Sequence, residues 1–289
     1  MPHSELASPS ATLAVLKKHD LYTRKALGQH FLVDDNTVGR IIERAALDGS
    51  EHIVEVGPGI GTLTLAPSSA AGSVVAVERD DRLTGILADV AQRCGNVRIV
   101  HGDALDIGPD DLLSPGAAPP VAMVANLPYG VAATVVLRYF EIMPTLQSAT
   151  VMVQAEVAAR MGAVPGTKDY GAYTVKLAMH ARPAGHFSVS RASFLPPPRV
   201  DSTVIRLERV VRDEPAADIA RAARAAEAAF SQRRKMMRNA IAGAVGASAS
   251  RVEEVLRQGG FDPAVRAESL PPESFVNLGR VLHESGLLP

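Results

Sequence analysis

The 289-residue sequence has one cysteine, Cys94, and no tryptophan. A single thiol rules out a disulfide framework and any metal site built on cysteine pairs. The eight histidines fall in no HExxH or other ligand spacing, so no metal is expected. No apolar run reaches about 18 residues, the length a membrane span needs, so no membrane is expected. The start, MPHSELASPSATLAVLKKHD, has no basic lead followed by an apolar stretch and does not read as a secretory signal, so a reducing, cytoplasmic setting is expected. Charge of one sign is lacking too: 30 Lys and Arg against 31 Asp and Glu give a net charge of −1. Any contact with nucleic acid must then come from a local basic surface. With 47% hydrophobic and 21% charged residues, the chain is globular rather than disordered. Its length suits one large domain with a small one.

What is present is a succession of apolar strands with polar groups at their carboxyl ends. His52 to Val56 reads as a strand, followed by Gly57-Pro58-Gly59-Ile60-Gly61 and a helical run predicted from Thr62 to Ala66. Glycines at a strand-to-helix turn let the backbone approach a ligand closely. The third glycine of a dinucleotide fingerprint would stand at position 62, which is Thr62, and this disfavours NAD or FAD. Ser73 to Val77 is a second strand, ending in Glu78, and Val97 to Val100 a third, leading to Asp103. Asp80 to Arg93 reads between them as an amphipathic helix. The fourth strand, Val121 to Ala125, has no alternation and ends in Asn126-Leu127-Pro128-Tyr129. In a doubly wound sheet such ends line one crevice. Glu78 suits two ribose hydroxyls and Asp103 an adenine amino group; each acid alone is more often a helix cap or a surface charge. In register on consecutive strand ends, they fit S-adenosylmethionine.

Asn126 offers a side-chain carbonyl, Leu127 is pushed extended by the following proline, and Tyr129 offers a flat face. Two acceptors and a ring suit a planar group bearing an NH2, such as adenine or cytosine. An Asn-initiated turn at a strand end accounts for the same residues. Phe194, at the entrance of the loop Pro196-Pro197-Pro198, is either a second stacking face opposite Tyr129 or a buried ring beside a stiff connector.

Residues 1–20 are expected to fray, with a short helix near Ala14 to Lys18, and Lys17, Lys18, Arg24 and Lys25 form a small basic cluster. Gly28-Gln29-His30-Phe31-Leu32 reads as a compact loop ahead of a helix capped by Asp34 or Asp35 and running through Val38, Ile41, Ile42 and Ala45. Residues 104–120 form a turn-rich connector. Ala132 to Phe140 is predicted helical, Thr150 to Gln154 a fifth strand, Thr174 to Met179 a sixth and Val200 to Leu207 a seventh. A boundary is expected near Arg212-Asp213-Glu214-Pro215, beyond which about four helices follow and no strand. The expected parts are an extension at 1–26, a sheet domain at 27–212 and a helical domain at 213–289. Ser231 to Asn239 is the densest basic stretch. With Ser231 as a helix cap, Arg233, Arg234 and Lys235 fall in the first turn, where the macrodipole disfavours cations. A phosphate backbone against them and Arg238 would compensate; a charged surface helix is the other reading.

With these residues in view, the chain resembles the rRNA adenine N6-dimethyltransferase family, and within it the bacterial branch that acts on small-subunit (16S) rRNA. The carriers are GQHFL at 28–32, EVGPGIGTLT at 55–64, Glu78, GDAL at 102–105, NLPY at 126–129, FLPPPRVDS at 194–202 and FSQRRKMMRN at 230–239. The resemblance runs from about Leu27 to the C-terminus. It implies an α/β fold: a Rossmann-like class I methyltransferase sheet of seven strands, the last antiparallel, with a small all-α domain. It implies four methyl transfers to two adjacent adenosines of a hairpin loop near the 3′ end of 16S rRNA, in the immature 30S subunit, by a monomer. The family's cofactor residues fall on His30, Leu32, Gly57, Gly59, Glu78, Asp103 and Asn126, and its acceptor pocket on Asn126, Leu127, Pro128, Tyr129 and Phe194. Many members carry Asn at the position of His30. The rivals are a 23S rRNA methyltransferase of the macrolide-resistance type, a mainly non-catalytic ribosome-assembly factor, and a nicotinamide oxidoreductase, which Thr62 disfavours.

Overall fold

Parallel strands are buried on both faces, and unbroken runs of β-branched and small apolar residues supply what that burial demands. The computed structural model of the chain, which describes residues 3–21, 30–113 and 118–289, sets such runs side by side. In chain order the elements are α1 (Pro9–Lys18), β1 (Phe31–Leu32), α2 (Asp35–Ala45), β2 (His52–Val56), α3 (Leu65–Ala70), β3 (Ser73–Glu78), α4 (Thr84–Cys94), β4 (Val97–His101), β5 (Ala122–Asn126), α5 (Ala132–Ile142) and β6 (Ser148–Gln154). There follow α6 (Ala155–Met161), α7 (Ala172–Ala178), β7 (Ala181–Val189), β8 (Phe194–Leu195), β9 (Ser202–Arg209), α8 (Ala216–Phe230), α9 (Met237–Val245), α10 (Ala249–Gln258) and α11 (Ser274–Glu284).

The main sheet has seven strands in the order β4-β3-β2-β5-β6-β9-β7. Strands β2 to β6 pair in parallel, and β9 runs antiparallel to β6, so the expected seven strands with the last one antiparallel are present. A two-stranded ribbon pairs β1 with β8, Phe31 opposite Leu195 and Leu32 opposite Phe194. The chain moves outward in one direction from β2 to β4 and in the other from β5 to β6. The strand order therefore reverses between β2 and β5, the point at which loops diverge and leave a crevice. The ladder continues one residue past the strand ends. The N–H of Gly57 donates to the Val77 carbonyl at 2.9 Å, that of Gly102 to the Glu78 carbonyl at 3.0 Å and that of Leu127 to the Met152 carbonyl at 3.1 Å. Four loops are thereby aligned at one edge.

The chain divides into two compact units, Met1–Ala158 with Pro183–Arg209, and Ala159–Arg182 with Val210–Pro289. In the first, Asp34 caps α2 by accepting the Asn36 N–H, and its carboxylate also takes the Thr37 hydroxyl at 2.6 Å. The face of α2 expected to be apolar packs Val38, Ile41 and Ala45 with Ile53, Val124, Met152 and Val204 of the sheet. In the second unit, Phe275 and Leu278 of α11, Ile241 of α9 and Val252 of α10 share a core with the alanine face of α8. Alanine there lets helices approach closely, and a Cβ on Gly279 would stand 2.6 Å from the backbone of Arg221. Among the described residues no helix is long and apolar enough to cross a membrane.

Several expectations are corrected. The boundary at Val210 lies close to the expected 213, but Ala159–Arg182 joins the helical unit rather than the sheet unit. Thr174 to Met179, read as a strand, lies mostly in α7. Its run is short enough to fit either period, and Ala172, Val175 and Met179, at helical spacing, meet the helical core. Strand β7 was not anticipated, because Pro183 and Gly185 interrupt its pattern; an edge position tolerates both. The helix after the glycine turn starts at Leu65, and residues 59–64 form turns. Leu27, Gly28, Gln29, Arg24, Lys25 and residues 114–117 lie outside the described residues.

The described part of the N-terminus is not frayed. Asp35 accepts the N–H groups of His3 and Ser4 at 3.1 and 2.7 Å, Ser8 caps α1, and Leu16 packs with Phe31, Ile60, Leu83 and Leu87. A Leu16→Ala substitution removes a buried side chain and leaves a cavity, and is expected to cost about 2–5 kcal/mol. Denaturant unfolding of the variant is the check; a loss below about 0.5 kcal/mol, the scale of a surface change, would mean that α1 is not packed as described.

Candidate active site

A cleft of about 600 Å³ opens at the aligned carboxyl edge. Every cofactor residue expected from the sequence lines it, from His30 and Leu32 through Gly57, Gly59, Glu78 and Asp103 to Asn126, and so do Leu127, Pro128 and Tyr129. Gly57 and Gly59 have φ of +72° and +62°, a region that a side chain disfavours. A Cβ on Gly57 would also meet Pro128 Cδ at 3.1 Å. The glycine loop and the Asn126–Tyr129 turn are thus in close contact, and the missing side chain makes that contact possible.

Glu78 accepts three backbone N–H groups. Oε1 takes those of Arg79 and Asp80 at 2.8 and 2.9 Å, and Oε2 takes that of Gly59 at 3.2 Å. Burial raises its pKa above the usual carboxylate range, against the pull of these donors. With one N–H on Oε2, that oxygen retains a lone pair for a ligand hydroxyl. Asp103 lies at the next loop. Its carboxylate accepts the Leu105 N–H at 2.9 Å and the Arg79 guanidinium at 2.9 Å, and these hold its pKa below the usual range. Arg79 is 76% exposed, so this pair is a weak one in water.

Glu55 is a site residue that the sequence reasoning did not single out. It sits in β2 and is 1% exposed; among the described residues, its Oε2 and the Thr62 hydroxyl, both on the cleft wall, are buried without a hydrogen-bond partner. Burial, with the charge of Glu78 added, pushes the Glu55 pKa up to about 8. The available signal was an acid inside the apolar run His52-Ile53-Val54-Glu55-Val56, two residues before the loop. Buried polar groups without partners mark places a ligand or water must satisfy.

On the other side of the cleft, Asn126 ends β5 half-buried, Leu127 is buried and Pro128 is exposed. The Tyr129 hydroxyl is 2.7 Å from Ser202 Oγ, and burial raises the phenol pKa. Among the described residues, the Tyr129 ring stacks on that of His30, with centroids 5.9 Å apart and planes at 27°. Phe194 does not provide the stacking face expected of it. It is 2% exposed and packs with Leu32, Val38, Met152 and Val204. Pairing of β8 with β1 turns it inward, opposite Leu32.

The basic stretch is corrected as well. Ser231 is the C-cap of α8, not an N-cap, and α9 begins at Met237, so Arg233, Arg234 and Lys235 lie in a turn and no macrodipole conflict exists. Arg233 donates to the Lys168 carbonyl and Arg238 pairs with Glu253. Arg234 and Lys235 are exposed.

The sheet, its reversal point, the glycine loop and the acids beyond it define a class I S-adenosylmethionine-dependent methyltransferase. The donor set fits that molecule: a buried free carboxylate oxygen suits its ammonium group, Glu78 its ribose hydroxyls, and the open glycines leave room for its chain. The family model for ribosomal RNA adenine dimethylase matches residues 21–284, and the chain belongs to that family. It is 40% identical over 288 residues to Ribosomal RNA small subunit methyltransferase A of Corynebacterium diphtheriae, covering 96% of both chains. To the protein of the same name from Streptomyces avermitilis it is 42% identical over 262 residues, 88% of this chain and 86% of the relative. Among solved structures, a dimethyladenosine transferase from Plasmodium falciparum shares the fold with a TM-score of 0.71 at 21% identity, over 89% of this chain and 98% of that one. The 23S rRNA methyltransferase ErmE superposes with a TM-score of 0.61 at 28% identity, over 88% of this chain and 99% of that one.

The state of Glu55 has a measurable consequence. Between about 4.5, its ordinary value, and about 8, the folded chain holds a proton that the unfolded chain has lost. Stability therefore falls as pH rises through that window. Glu55→Gln removes this contribution, and the fall across the window is expected to flatten in denaturation experiments, with the part owed to Glu78 remaining. An unchanged slope would mean that Glu55 is ionised in the fold.

Proposed function

We propose that the chain dimethylates N6 of two adjacent adenosines in the 3′-terminal hairpin loop of 16S rRNA, acting in the cytoplasm as a monomer on the immature 30S subunit. The observation that carries this reading is that the Asn126–Tyr129 turn shares one cleft with the glycine loop and Glu78. The small-subunit substrate is supported by relatives that bear that name over nearly their whole length.

S-adenosylmethionine, when bound, supplies an electrophilic methyl group. Glu78 and the glycine loop would hold its nucleoside part, Asp103 would accept from its adenine, and Glu55 would answer its ammonium group. The target adenine leaves its stack and lies on Tyr129. The Asn126 side-chain oxygen and the carbonyl of Leu127 or Pro128 accept the N6 hydrogens. Those bonds localise the nitrogen lone pair, otherwise spread into the ring, and aim it. Positioning and electrostatics then provide most of the rate. No strong general base is required, because the methylated nitrogen is acidic enough to release its proton to water. With Arg233 and Arg238 engaged within their own unit, Arg234 and Lys235 carry the larger part of the phosphate contact.

Two outcomes test this. Asn126→Ala is expected to lower methyl transfer to undermethylated 30S particles by about 10²-fold or more, with N6,N6-dimethyladenosine as the resolved product of the wild type. Transfer within a few-fold of wild type would remove Asn126 from the chemistry, and incorporation into 23S rRNA alone would reassign the substrate. Charge reversal at Arg234 and Lys235 is expected to weaken RNA binding and reduce its salt slope by about 2, leaving cofactor affinity unchanged. A slope identical to wild type excludes the pair from the interface.

A further inference from the structure

We infer that His30 and Ser202 are positioning residues for the Tyr129 ring, and that His30 fixes the plane on which the acceptor base stacks. This rests on the reading of Tyr129 as the base platform.

A tyrosine side chain has two soft torsions. Rotation about Cα–Cβ swings the whole ring, and rotation about Cβ–Cγ turns its plane. The hydroxyl oxygen lies on the second axis. A hydrogen bond to it therefore fixes the direction of the ring and leaves the plane free to turn. Ser202 makes that bond at 2.7 Å. It is 0% exposed and pairs with Gln154 at the start of β9, so the anchor belongs to the sheet.

Another group must hold the plane, and His30 is placed to do so. Its ring lies 5.9 Å from that of Tyr129, at 27°. At that separation no base fits between the two rings, so His30 takes one side of the phenol and the base is left the other. The imidazole is itself tied down. Its Nδ1 is 2.7 Å from the Pro196 carbonyl oxygen; a carbonyl only accepts, so Nδ1 carries the hydrogen and donates it. Both ends of that bond are fixed by the ribbon. Phe31 pairs with Leu195, the Val33 N–H donates to the Ser193 carbonyl at 2.8 Å, and the Ser193 hydroxyl donates to Asp34 at 2.9 Å. The buried Phe194 pegs the ribbon into the core. The stiff 194–202 segment thus reaches Tyr129 twice, through Pro196 and His30 at one end and through Ser202 at the other.

The expectations differ by variant. Asn at position 30 can donate to the Pro196 carbonyl but has no ring; Phe has the ring but no donor. His30→Ala and His30→Asn are expected to lower kcat/KM for undermethylated 30S particles by about three- to tenfold, the factor that a stacked ring pair supplies. His30 also lines the cofactor side of the cleft, so the comparison is made at saturating S-adenosylmethionine, with its affinity for each variant measured by calorimetry. His30→Phe recovers most of the loss. Ser202→Ala acts through the same ring, so its effect and that of His30→Ala do not add in the double variant. A readout independent of activity is the flip rate of the Tyr129 ring in protein with 13C-labelled tyrosine, where five tyrosines need assignment. Flipping is expected to quicken in His30→Ala and His30→Asn and to stay near wild type in Ser202→Ala and His30→Phe.

The inference is overturned if His30→Ala leaves the flip rate unchanged. It is also overturned if His30→Asn keeps full transfer while His30→Phe loses it, or if the loss is accounted for by weaker cofactor binding. A wild type that methylates another RNA and not 30S particles would overturn the substrate proposed above, whereas the ring-flip comparison would still decide the role of His30.

Discussion

The contact on which the rest depends is the approach of the glycine loop to the turn after β5. Strands β2 and β5 are neighbours at the reversal of strand order, so their two loops are forced together at the carboxyl edge. A Cβ at Gly57 would press on Pro128 at 3.1 Å and be strained at φ +72°. Without one, the glycine-loop wall and the Asn126–Tyr129 wall of the cleft become parts of a single packed unit. The ladder bonds from Gly57, Gly102 and Leu127 extend that rigidity across four loops. Residues far apart in the sequence are then held at fixed separations, as transfer between two bound molecules requires.

The cleft is also a place where carboxylates are set apart by environment. Glu55 and Glu78 are buried and shifted upward, whereas Asp103 is held down by a backbone N–H and Arg79. A buried carboxyl that keeps its proton can donate a hydrogen bond or, by losing the proton, answer a cation. A half-buried, ionised one such as Asp103 only accepts. Three acids within one cleft therefore offer different chemistry to different parts of one ligand.

Much of the sheet was legible in the sequence because its inner strands β3 and β5 are apolar runs ending at Glu78 and Asn126, and β2, ahead of Gly57, is one but for Glu55. Burial on both faces leaves that trace regardless of context. The edges were not. Strand β7 contains Pro183 and Gly185, which only an edge position excuses, and α7 is too short to declare its period. Phe194 was misjudged because an aromatic before three prolines reads equally as platform or peg, and pairing of β8 with β1 decides it. The pairing partner was legible only as the Phe31-Leu32 of a loop. His30 was named for the cofactor, and its stack with Tyr129 joins residues about a hundred positions apart, which no local pattern records. Glu55 was visible as an acid in an apolar strand but was passed over inside the motif it belongs to.

Each of the two units is assembled from two separate stretches, and each interrupts the other. In time rather than space, this means that neither unit can be finished when its first stretch leaves the ribosome. Gln154 of β6 finds its partner Ser202 only 48 residues later, about 2–10 s at ordinary elongation rates. Tyr170, Val175 and Met179 then wait for α8 and α11 to cover them. A chain released before its last helix would carry bare apolar surface, so its completion and its solubility are linked.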